Sequence, residues 1–300
     1  MNAGQYTEFE RLLPPLGLVP DLETFSRRLR VPYDVLSAAY AQAAQQQSWE
    51  NHLKAKPKLP GLFDRYKAGE SLAALACSVQ LPQCLLVRRF LELIPEAQGL
   101  KGTHVLRNPK LLESLVQPPL LGAEQAADGH EPVLQQDPPQ QQAGFKALMS
   151  RLQADIVEAS KQDTISSPQA DLMRSVTGQE YEALLSVKLR CAGIAFFTED
   201  KLREEGFFKT PDVKLEVPVL MHGQIVTWID SKAMFGSERY HMQQQDSQYA
   251  KYLNRFGPGA VIYWFGYCAE LAGMNSNILV LDNFPYQSDI VQLRQLALSD

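Results

Sequence analysis

Apolar residues in the N-terminal part of the chain recur at helical spacing between short turns. Leu86, Phe90 and Leu93 follow one another at i, i+4 and i+7, which places them on one face of a helix. Pro82 stands just before them, where the first turn of a helix has no use for a backbone N–H. A shorter apolar stripe precedes the turn, so the pattern predicts two short helices joined as a helix-turn-helix.

A similar arrangement lies fifty residues earlier, with Pro32 in the place of Pro82. Residues 29–36 match residues 79–86 in their order of apolar positions, which indicates an internal repeat of one supersecondary unit. The alternative interpretation is a small bundle of helical hairpins, in which Arg88 and Arg89 lie on a solvated face.

The C-terminal part instead alternates helical and strand patterns. The predicted elements are a helix over 178–191, a strand over 194–197, a short charged helix over 198–205, strands over 211–221 and 224–233 joined by a turn at 222–223, a polar helix over 237–254, strands over 260–265 and 278–281, and a last helix. This order predicts an α/β sheet covered by helices.

The segment between these parts, residues 118–144, is rich in proline and glutamine and contains four acids but no lysine or arginine. Such a segment has too little apolar surface to offset the cost of ordering it, so we expect a disordered acidic insert. The predicted organisation is a helical domain over 1–117, the insert over 118–144 and a second domain over 145–300.

The overall charge hides a difference between the two parts. The net charge is −5 over 300 residues, yet residues 1–117 carry 14 Lys and Arg against 11 Asp and Glu. Within this basic part, Lys54, Lys56 and Lys58, with Arg88 and Arg89 on the second helix, are candidate contacts to nucleic-acid phosphates. The alternative for all five is an ordinary solvated face.

Other sequence signals exclude several classes of protein. No apolar run reaches the ~20 residues of a membrane helix and no secretory signal opens the chain, so no membrane association is expected. The four cysteines form no CxxC pair and the five histidines form no HxH or HExxH spacing, which disfavours a disulfide framework and a zinc site. No phosphate-binding glycine loop of the GxxxxGK[ST] or GxGxxG type is present.

The predicted hairpin carries charged residues inside otherwise apolar strands. Asp230 and Lys232 are two residues apart and share one face of their strand, and hairpin pairing can place Asp212 beside them. Burying such charges is costly unless they pair or hold a metal ion, so this cluster is the candidate reaction centre.

These residues resemble the PD-(D/E)xK nuclease signature. The longer strings, Lys-Thr-Pro-Asp over 209–212, Trp-Ile-Asp-Ser-Lys-Ala over 228–233 and Asn-Arg-Phe-Gly-Pro-Gly over 254–259, resemble the narrower family of TPD-type nucleases. The resemblance extends from about residue 178 to 284. It implies an α/β fold class in which N-terminal helix-turn-helix repeats precede a restriction-endonuclease-like domain with a mixed sheet covered by helices.

The resemblance also implies roles for further residues. An acid on the preceding helix is expected at Glu182, with Glu180 as the competitor and a solvated helix acid as the alternative. Gln248 with Tyr252 resembles the Gln-x-x-x-Tyr element of some nucleases of this fold, although half-buried packing explains such a pair equally well.

The implied chemistry is metal-assisted hydrolysis of a phosphodiester. Asp212, Asp230 and the backbone carbonyl of Ser231 would supply hard oxygen ligands for Mg²⁺ or Mn²⁺, and Glu182 would hold the metal directly or through water. Lys232 would position or deprotonate the attacking water and counter the developing charge.

The leading hypothesis is therefore a metal-dependent DNA endonuclease of the nucleus and cytoplasm, acting on branched or structured DNA. The resemblance also implies a codanin-like protein partner and a link to erythroid differentiation. The alternatives are an inactive nuclease-fold scaffold that acts through its partner, and a transcription regulator whose C-terminal domain only dimerises.

Overall fold

The computed structural model of the chain describes residues 1–16, 20–116 and 139–292. Most of the expected acidic insert lies outside these residues. Its last positions, 139–144, form the start of a long helix, which continues into the half-buried Phe145 and Leu148. Among the described helices, none is long and apolar enough to cross a membrane.

Thirteen α-helices are present in the described part of the chain. They are α1 Ala3–Leu12, α2 Leu22–Leu29, α3 Tyr33–Ala55, α4 Leu59–Lys67, α5 Leu72–Ser78, α6 Gln83–Leu91, α7 Gly102–Arg107, α8 Leu111–Ser114, α9 Pro139–Gln162, α10 Pro168–Cys191, α11 Glu199–Glu204, α12 Glu238–Gln244 and α13 Ala250–Phe256. A π-helical turn, Gln245–Tyr249, joins α12 to α13.

The strands form one mixed sheet, as predicted. They are β1 Phe196–Thr198, β2 Val213–Met221, β3 Gln224–Lys232, β4 Gly259–Tyr263, β5 Ile278–Leu281 and β6 Ile290–Gln292. The strand order is β1-β2-β3-β4-β5. The β1–β2 and β2–β3 pairs are antiparallel, and the β3–β4 and β4–β5 pairs are parallel. The short strands β1 and β6 pair with opposite ends of β2.

The chain divides into two compact units, and the division differs from the predicted domain boundaries. The sheet unit comprises Met1–Pro14, Val19–Gln45 and Met173–Asp300, whereas the helical unit comprises Pro15–Leu18 and Gln46–Leu172. Met1–Pro14 and Val19–Gln45 join the sheet because their apolar side chains complete its core. Phe9, Leu36 and Ala39 are fully buried in one cluster with Trp228 and Tyr263.

The sheet unit has an apolar core on each face of the sheet, as the alternation of side chains along its strands requires. On one face Leu185 and Leu189 of α10 pack against Ala260 and Ile262 of β4. On the other face Val261 and Tyr263 belong to the cluster that includes residues of α1 to α3 and of α13. The predicted sheet covered by helices is therefore confirmed.

The helical unit is built around α6. Leu86, Val87 and Phe90 are fully buried on this helix, together with residues of α4, α5, α7 and α9. The N-terminus of α6 is also covered, since Asp163 Oδ2 accepts a hydrogen bond of 2.9 Å from the N–H of Cys84. A recognition helix contacts base edges through its N-terminal residues, and this end of α6 is occupied by protein.

The two predicted helix-turn-helix units share one turn geometry, although they fall in different compact units. Arg30 and Gln80 both adopt a left-handed conformation, with φ of 53° and 51°. In each turn the next N–H, of Val31 or Leu81, donates to the carbonyl five residues before it. These local features match the sequence similarity, and they do not by themselves establish a repeat.

Two further predictions have opposite outcomes. The turn at His222 and Gly223 is confirmed, with positive φ at both residues, as a tight two-residue hairpin turn requires. The last helix is wrong over residues 282–292, where Ile290 is buried and β6 pairs with β2; residues 293–300 lie outside the described part.

Candidate active site

The register of the β2–β3 hairpin places the predicted charged residues together. Val213 pairs with Ile229, so Asp212, directly before β2, comes opposite Asp230. The link is a hydrogen bond of 2.6 Å from the N–H of Ser231 to Asp212 Oδ2. The prediction that the hairpin would bring Asp212 beside the Asp-x-Lys strand is confirmed.

Asp230 and Lys232 form a buried ion pair. Lys232 Nζ lies 2.6 Å from Asp230 Oδ2, and the two side chains are 17% and 2% exposed. Buried charges of this kind are stable only when each has a partner of opposite sign. One ammonium here faces two carboxylates, so the cluster of Asp212, Asp230 and Lys232 carries a net negative charge whenever both carboxylates are ionised.

Burial and the neighbouring charges shift the pKa values of Asp212 and Lys232. Burial raises the pKa of Asp212 well above its usual range, and the charge of Asp230 raises it further against the smaller lowering effect of Lys232. Burial alone would lower the pKa of Lys232, but the charges of Asp230 and Asp212 outweigh it and raise that pKa. Lys232 therefore stays protonated at neutral pH.

A cleft of about 230 Å³ opens beside Asp212 and contains Glu182 of α10 in its wall. Burial and the charge of Glu199 raise the pKa of Glu182. Glu180 and Glu182 are both exposed, and of the two only Glu182 is among the residues that line this cleft.

Glu199, a further acid of the cleft, was missed by the sequence analysis. It is the first residue of α11, and its Oε1 accepts hydrogen bonds from Thr210 Oγ1 at 3.1 Å and from Arg203 at 2.7 Å. Its N–H donates to the carbonyl of Asp212. The available signal was an acid at the start of a helix, which is too common to indicate a site.

The loop that leads into Asp212 is held by α13. The Tyr252 hydroxyl donates to the carbonyl of Thr210 at 2.8 Å, and Arg255 donates to the carbonyl of Phe208 at 2.7 Å. Two of the sequence strings are thereby linked in space, because the helix that ends in Asn-Arg-Phe-Gly-Pro-Gly fixes the Thr-Pro-Asp loop. Tyr252 is buried in this role, and it was predicted from sequence only as the partner of Gln248.

Gly257 and Gly259 of the same string contact the side chain of Trp228. A Cβ atom at Gly259 would lie 2.1 Å from the indole ring of Trp228, and Trp228 Nε1 donates to the carbonyl of Gly257 at 2.8 Å. Gly257 itself has a φ of 84°, a conformation that favours glycine. This packing fixes β3 two residues before Asp230.

The side chains of Ser231 and Gln248, the remaining predicted residues of the site, make no described contact with Asp212 or Lys232. The Ser231 hydroxyl accepts a hydrogen bond of 2.8 Å from Trp264 Nε1, so its side chain is directed toward β4. Gln248 lies in the π-helical turn, and its buried Oε1 has no hydrogen-bond partner among the described residues. No described contact brings Gln248 to Asp212 or Lys232, and its catalytic role stays a prediction.

The donor chemistry of the cluster fits a hard divalent cation. Carboxylate oxygens are the preferred ligands of Mg²⁺ and Mn²⁺, and a cation would offset the charge that raises the pKa of Asp212. The described residues contain no group of three or more His, Cys, Asp or Glu arranged to hold a metal ion. The structure thus offers the pair Asp212 and Asp230 as ligands, with Glu182 in the adjacent cleft wall.

The five candidate phosphate contacts differ in availability. Lys54, Lys56 and Lys58 are exposed at the junction of α3 and α4. Arg88 instead donates to the carbonyl of Ser166 at 2.6 Å and pairs with Asp171 at 3.0 Å, and Arg89 pairs with Glu92 at 2.7 Å. Both guanidinium groups therefore make contacts within the helical unit, whereas the sequence predicted that they lie on an exposed face.

Comparisons with known proteins match the part of the chain that contains this cluster. The family model described as "Protein of unknown function TPD sequence-motif" matches residues 148–284. Relatives named "CDAN1-interacting nuclease 1" include those of Xenopus tropicalis, 46% identical over 124 residues, and Danio rerio, 43% identical over 131 residues. These two alignments cover only about two fifths of this chain and of each relative.

A longer alignment joins nearly the whole chain to the protein of the same name from Mus musculus. It is 31% identical over 301 aligned residues and covers 95% of this chain and 96% of the mouse protein. No solved structure matches the chain. The extent of the mouse alignment shows that the chain belongs to the CDAN1-interacting nuclease 1 family.

Proposed function

We propose that the sheet unit is a metal-dependent nuclease that hydrolyses phosphodiester bonds in DNA. The observation that carries this proposal is the buried cluster in which Lys232 pairs with Asp230 beside Asp212. A buried excess of negative charge destabilises a fold unless a ligand offsets it. Its position beside an open cleft favours a catalytic function over a structural one.

In this proposal Asp212, Asp230 and the Ser231 carbonyl would hold Mg²⁺ or Mn²⁺, with Glu182 as a direct or water-mediated ligand. A bound cation would lower the pKa of water and neutralise charge on the phosphate. Lys232, protonated because its pKa is raised, would donate hydrogen bonds that position the attacking water and stabilise the developing charge. The raised pKa of Lys232 also disfavours its acting as the group that abstracts the proton, because a base must be deprotonated.

A different group must then accept the proton of the attacking water. Glu182 fits this role when it contacts the metal through water rather than directly, because it lines the cleft and its raised pKa favours acceptance of a proton. Gln248 would serve as an additional polar contact to the substrate if the π-helical turn directs it into the site.

The proposed substrate is branched or structured DNA. Lys54, Lys56 and Lys58 would bind its phosphates, since they are exposed and close in sequence. Arg88 and Arg89 are assigned to the stability of the helical unit.

We also propose a codanin-like protein partner and a location in the nucleus and cytoplasm. The partner is supported by the names of the relatives, which are called CDAN1-interacting. The four cysteines are free thiols, which are retained in reducing compartments. The link to erythroid differentiation rests on the family alone.

The proposal is tested on the purified full chain with labelled duplex, flap, splayed and four-way DNA, with and without Mn²⁺. Wild type should cleave at least one of these substrates only with metal, and Asp230→Ala should not. In parallel, Mg²⁺ or Mn²⁺ should raise the melting temperature of wild type but not of the variant. No cleavage and no stabilisation by metal would instead favour the scaffold function.

A further inference from the structure

Phe208 is a large apolar side chain left in solvent next to the candidate active site. It is 77% exposed and lies four residues before Asp212. Four residues of extended chain span at most ~14 Å, so the backbone of Phe208 lies within the length of a few nucleotides of a phosphate bound at Asp212. A single exposed apolar residue is ordinary by itself, and the surrounding backbone distinguishes this one.

The backbone around Phe208 is fixed rather than free. Arg255 donates to the carbonyl of Phe208 at 2.7 Å and to the carbonyl of Lys209 at 3.3 Å. On one side, the Phe207 ring packs against Phe256 with a centroid distance of 5.9 Å. On the other side, the Thr210 carbonyl is held by Tyr252. The segment is therefore anchored at each neighbour of Phe208, while the ring itself points outward.

The charges next to Phe208 suit a nucleic-acid strand. Lys209, the next residue, and Arg255, which donates to the Phe208 carbonyl, are both exposed, whereas Glu204 and Glu205 stand four and three residues before it at the end of α11. An aromatic platform beside positive charge is the arrangement by which proteins hold single strands, since every base has a face that can stack. A base inside a duplex is already stacked on its neighbours and is not available to the ring.

We infer that Phe208 is a stacking platform for an unpaired nucleobase close to the scissile phosphate. The inference rests on the proposed nuclease function and names its substrate class, which is DNA that is single-stranded or splayed at the cut. Because the loop that carries Phe208 is already anchored, DNA binding does not have to order it, and no binding free energy is spent on that step.

The test uses the full chain with Asp230→Asn, which is expected to bind DNA without cutting it. A 12-nucleotide single strand that contains 2-aminopurine at successive positions reports stacking as fluorescence quenching. We expect quenching at one or two positions. Adding Phe208→Ala should abolish it and weaken binding by about 5- to 100-fold, whereas Phe208→Trp should retain both.

Tyr286→Ala provides the matched control. Tyr286 is 82% exposed but lies in the loop before β6, which pairs with the far end of β2 from Asp212. Its removal should leave quenching and binding unchanged. Equal binding and quenching with and without Phe208, or no binding by the parent, would overturn the inference.

Cleavage by the wild-type chain, measured in parallel, separates the two proposals. Phe208-dependent quenching without any cleavage would retain the platform and reject the nuclease. Cleavage that is independent of Phe208, with no quenching, would reject the platform and retain the nuclease.

Discussion

The carboxylate of Asp212 accepts a hydrogen bond from the backbone of Ser231, nineteen residues further along the chain. This contact joins the Thr-Pro-Asp loop to the strand that carries Asp230 and Lys232. It also brings a second carboxylate to a buried ion pair that would be neutral without it. The excess charge and the contacts that maintain it have measurable consequences for stability and for cleavage.

Asp212→Asn should stabilise the metal-free protein at neutral pH. The pKa of Asp212 is raised in the folded state, mainly by burial and then by Asp230, so its ionised form disfavours folding. The stability associated with this group is present at low pH and is lost as pH rises through the raised pKa. Asparagine can still accept the hydrogen bond from Ser231 while carrying no charge.

The measurement is thermal unfolding in EDTA over a range of pH. The melting temperature of Asp212→Asn should exceed that of wild type at pH 7, and the difference should shrink as the pH falls. A variant that is less stable than wild type at pH 7, or a difference independent of pH, would contradict the charge argument.

Tyr252→Phe should reduce cleavage more than it reduces stability. The hydroxyl that holds the Thr210 carbonyl is lost, at a cost of about 1 kcal/mol in the free energy of unfolding. The loop carrying Asp212 then has one anchor fewer, and small displacements of a reacting group cost large factors in rate, so kcat should fall about 10-fold or more. Tyr286→Phe is the control, and equal rates for the two variants would argue against this positioning role.

Gly259→Ala should destabilise the sheet unit strongly. The added methyl would lie 2.1 Å from the Trp228 ring, so either the indole or β4 must move, at a cost of about 3 kcal/mol or more. Gly178→Ala is the matched control, because no heavy atom lies within 4 Å of its added Cβ inside α10. That control should be neutral or stabilising by up to about 1 kcal/mol. Similar unfolding curves for the two variants would refute the packing account.

Combined alanine substitution of Lys54, Lys56 and Lys58 should weaken DNA binding without lowering stability. Each phosphate contact contributes about 0.9 to the slope of log affinity against log salt, so the slope should decrease by up to about 3. A slope unchanged from wild type would exclude this surface as the phosphate-binding site.

Arg88→Met should lower the stability of the protein and leave its DNA binding unchanged. It removes charged hydrogen bonds to Ser166 and Asp171, which should cost about 2–3 kcal/mol in the free energy of unfolding of the helical unit. Its DNA affinity, measured below the unfolding temperature, should stay close to that of wild type. Lost affinity in a fully folded Arg88→Met protein would restore the helix-turn-helix as the DNA-binding element.

The charged cluster was predictable because its geometry is local. Strand alternation and one tight turn suffice to bring Asp212, Asp230 and Lys232 together, and their residue types are unusual inside apolar strands. The mixed sheet could be anticipated for a similar reason, since each of β2 to β5 is a clear apolar segment.

Other features depend on contacts distant in sequence. The packing of Phe9 and Leu36 with Trp228 joins the chain start to the sheet, and no periodicity in residues 1–45 indicates which core they complete. Arg88 looks exposed on a helical wheel, but Ser166 and Asp171 come from a segment some eighty residues away. Arg255 stands in the Asn-Arg-Phe-Gly-Pro-Gly string, and nothing in the sequence pairs it with the carbonyls of Phe208 and Lys209, some forty-six residues earlier.

The most direct test of the central claim is single-turnover cleavage by Lys232→Met with saturating Mn²⁺, on the best substrate of wild type. Lys161→Met, which removes a lysine whose side chain is 68% exposed on α9, is the control. We expect a loss of at least about 100-fold for Lys232→Met, from an oxyanion-type contribution of ~3 kcal/mol, and no change for Lys161→Met. Cleavage by folded Lys232→Met at the wild-type rate would contradict the assignment of this cluster as the catalytic centre.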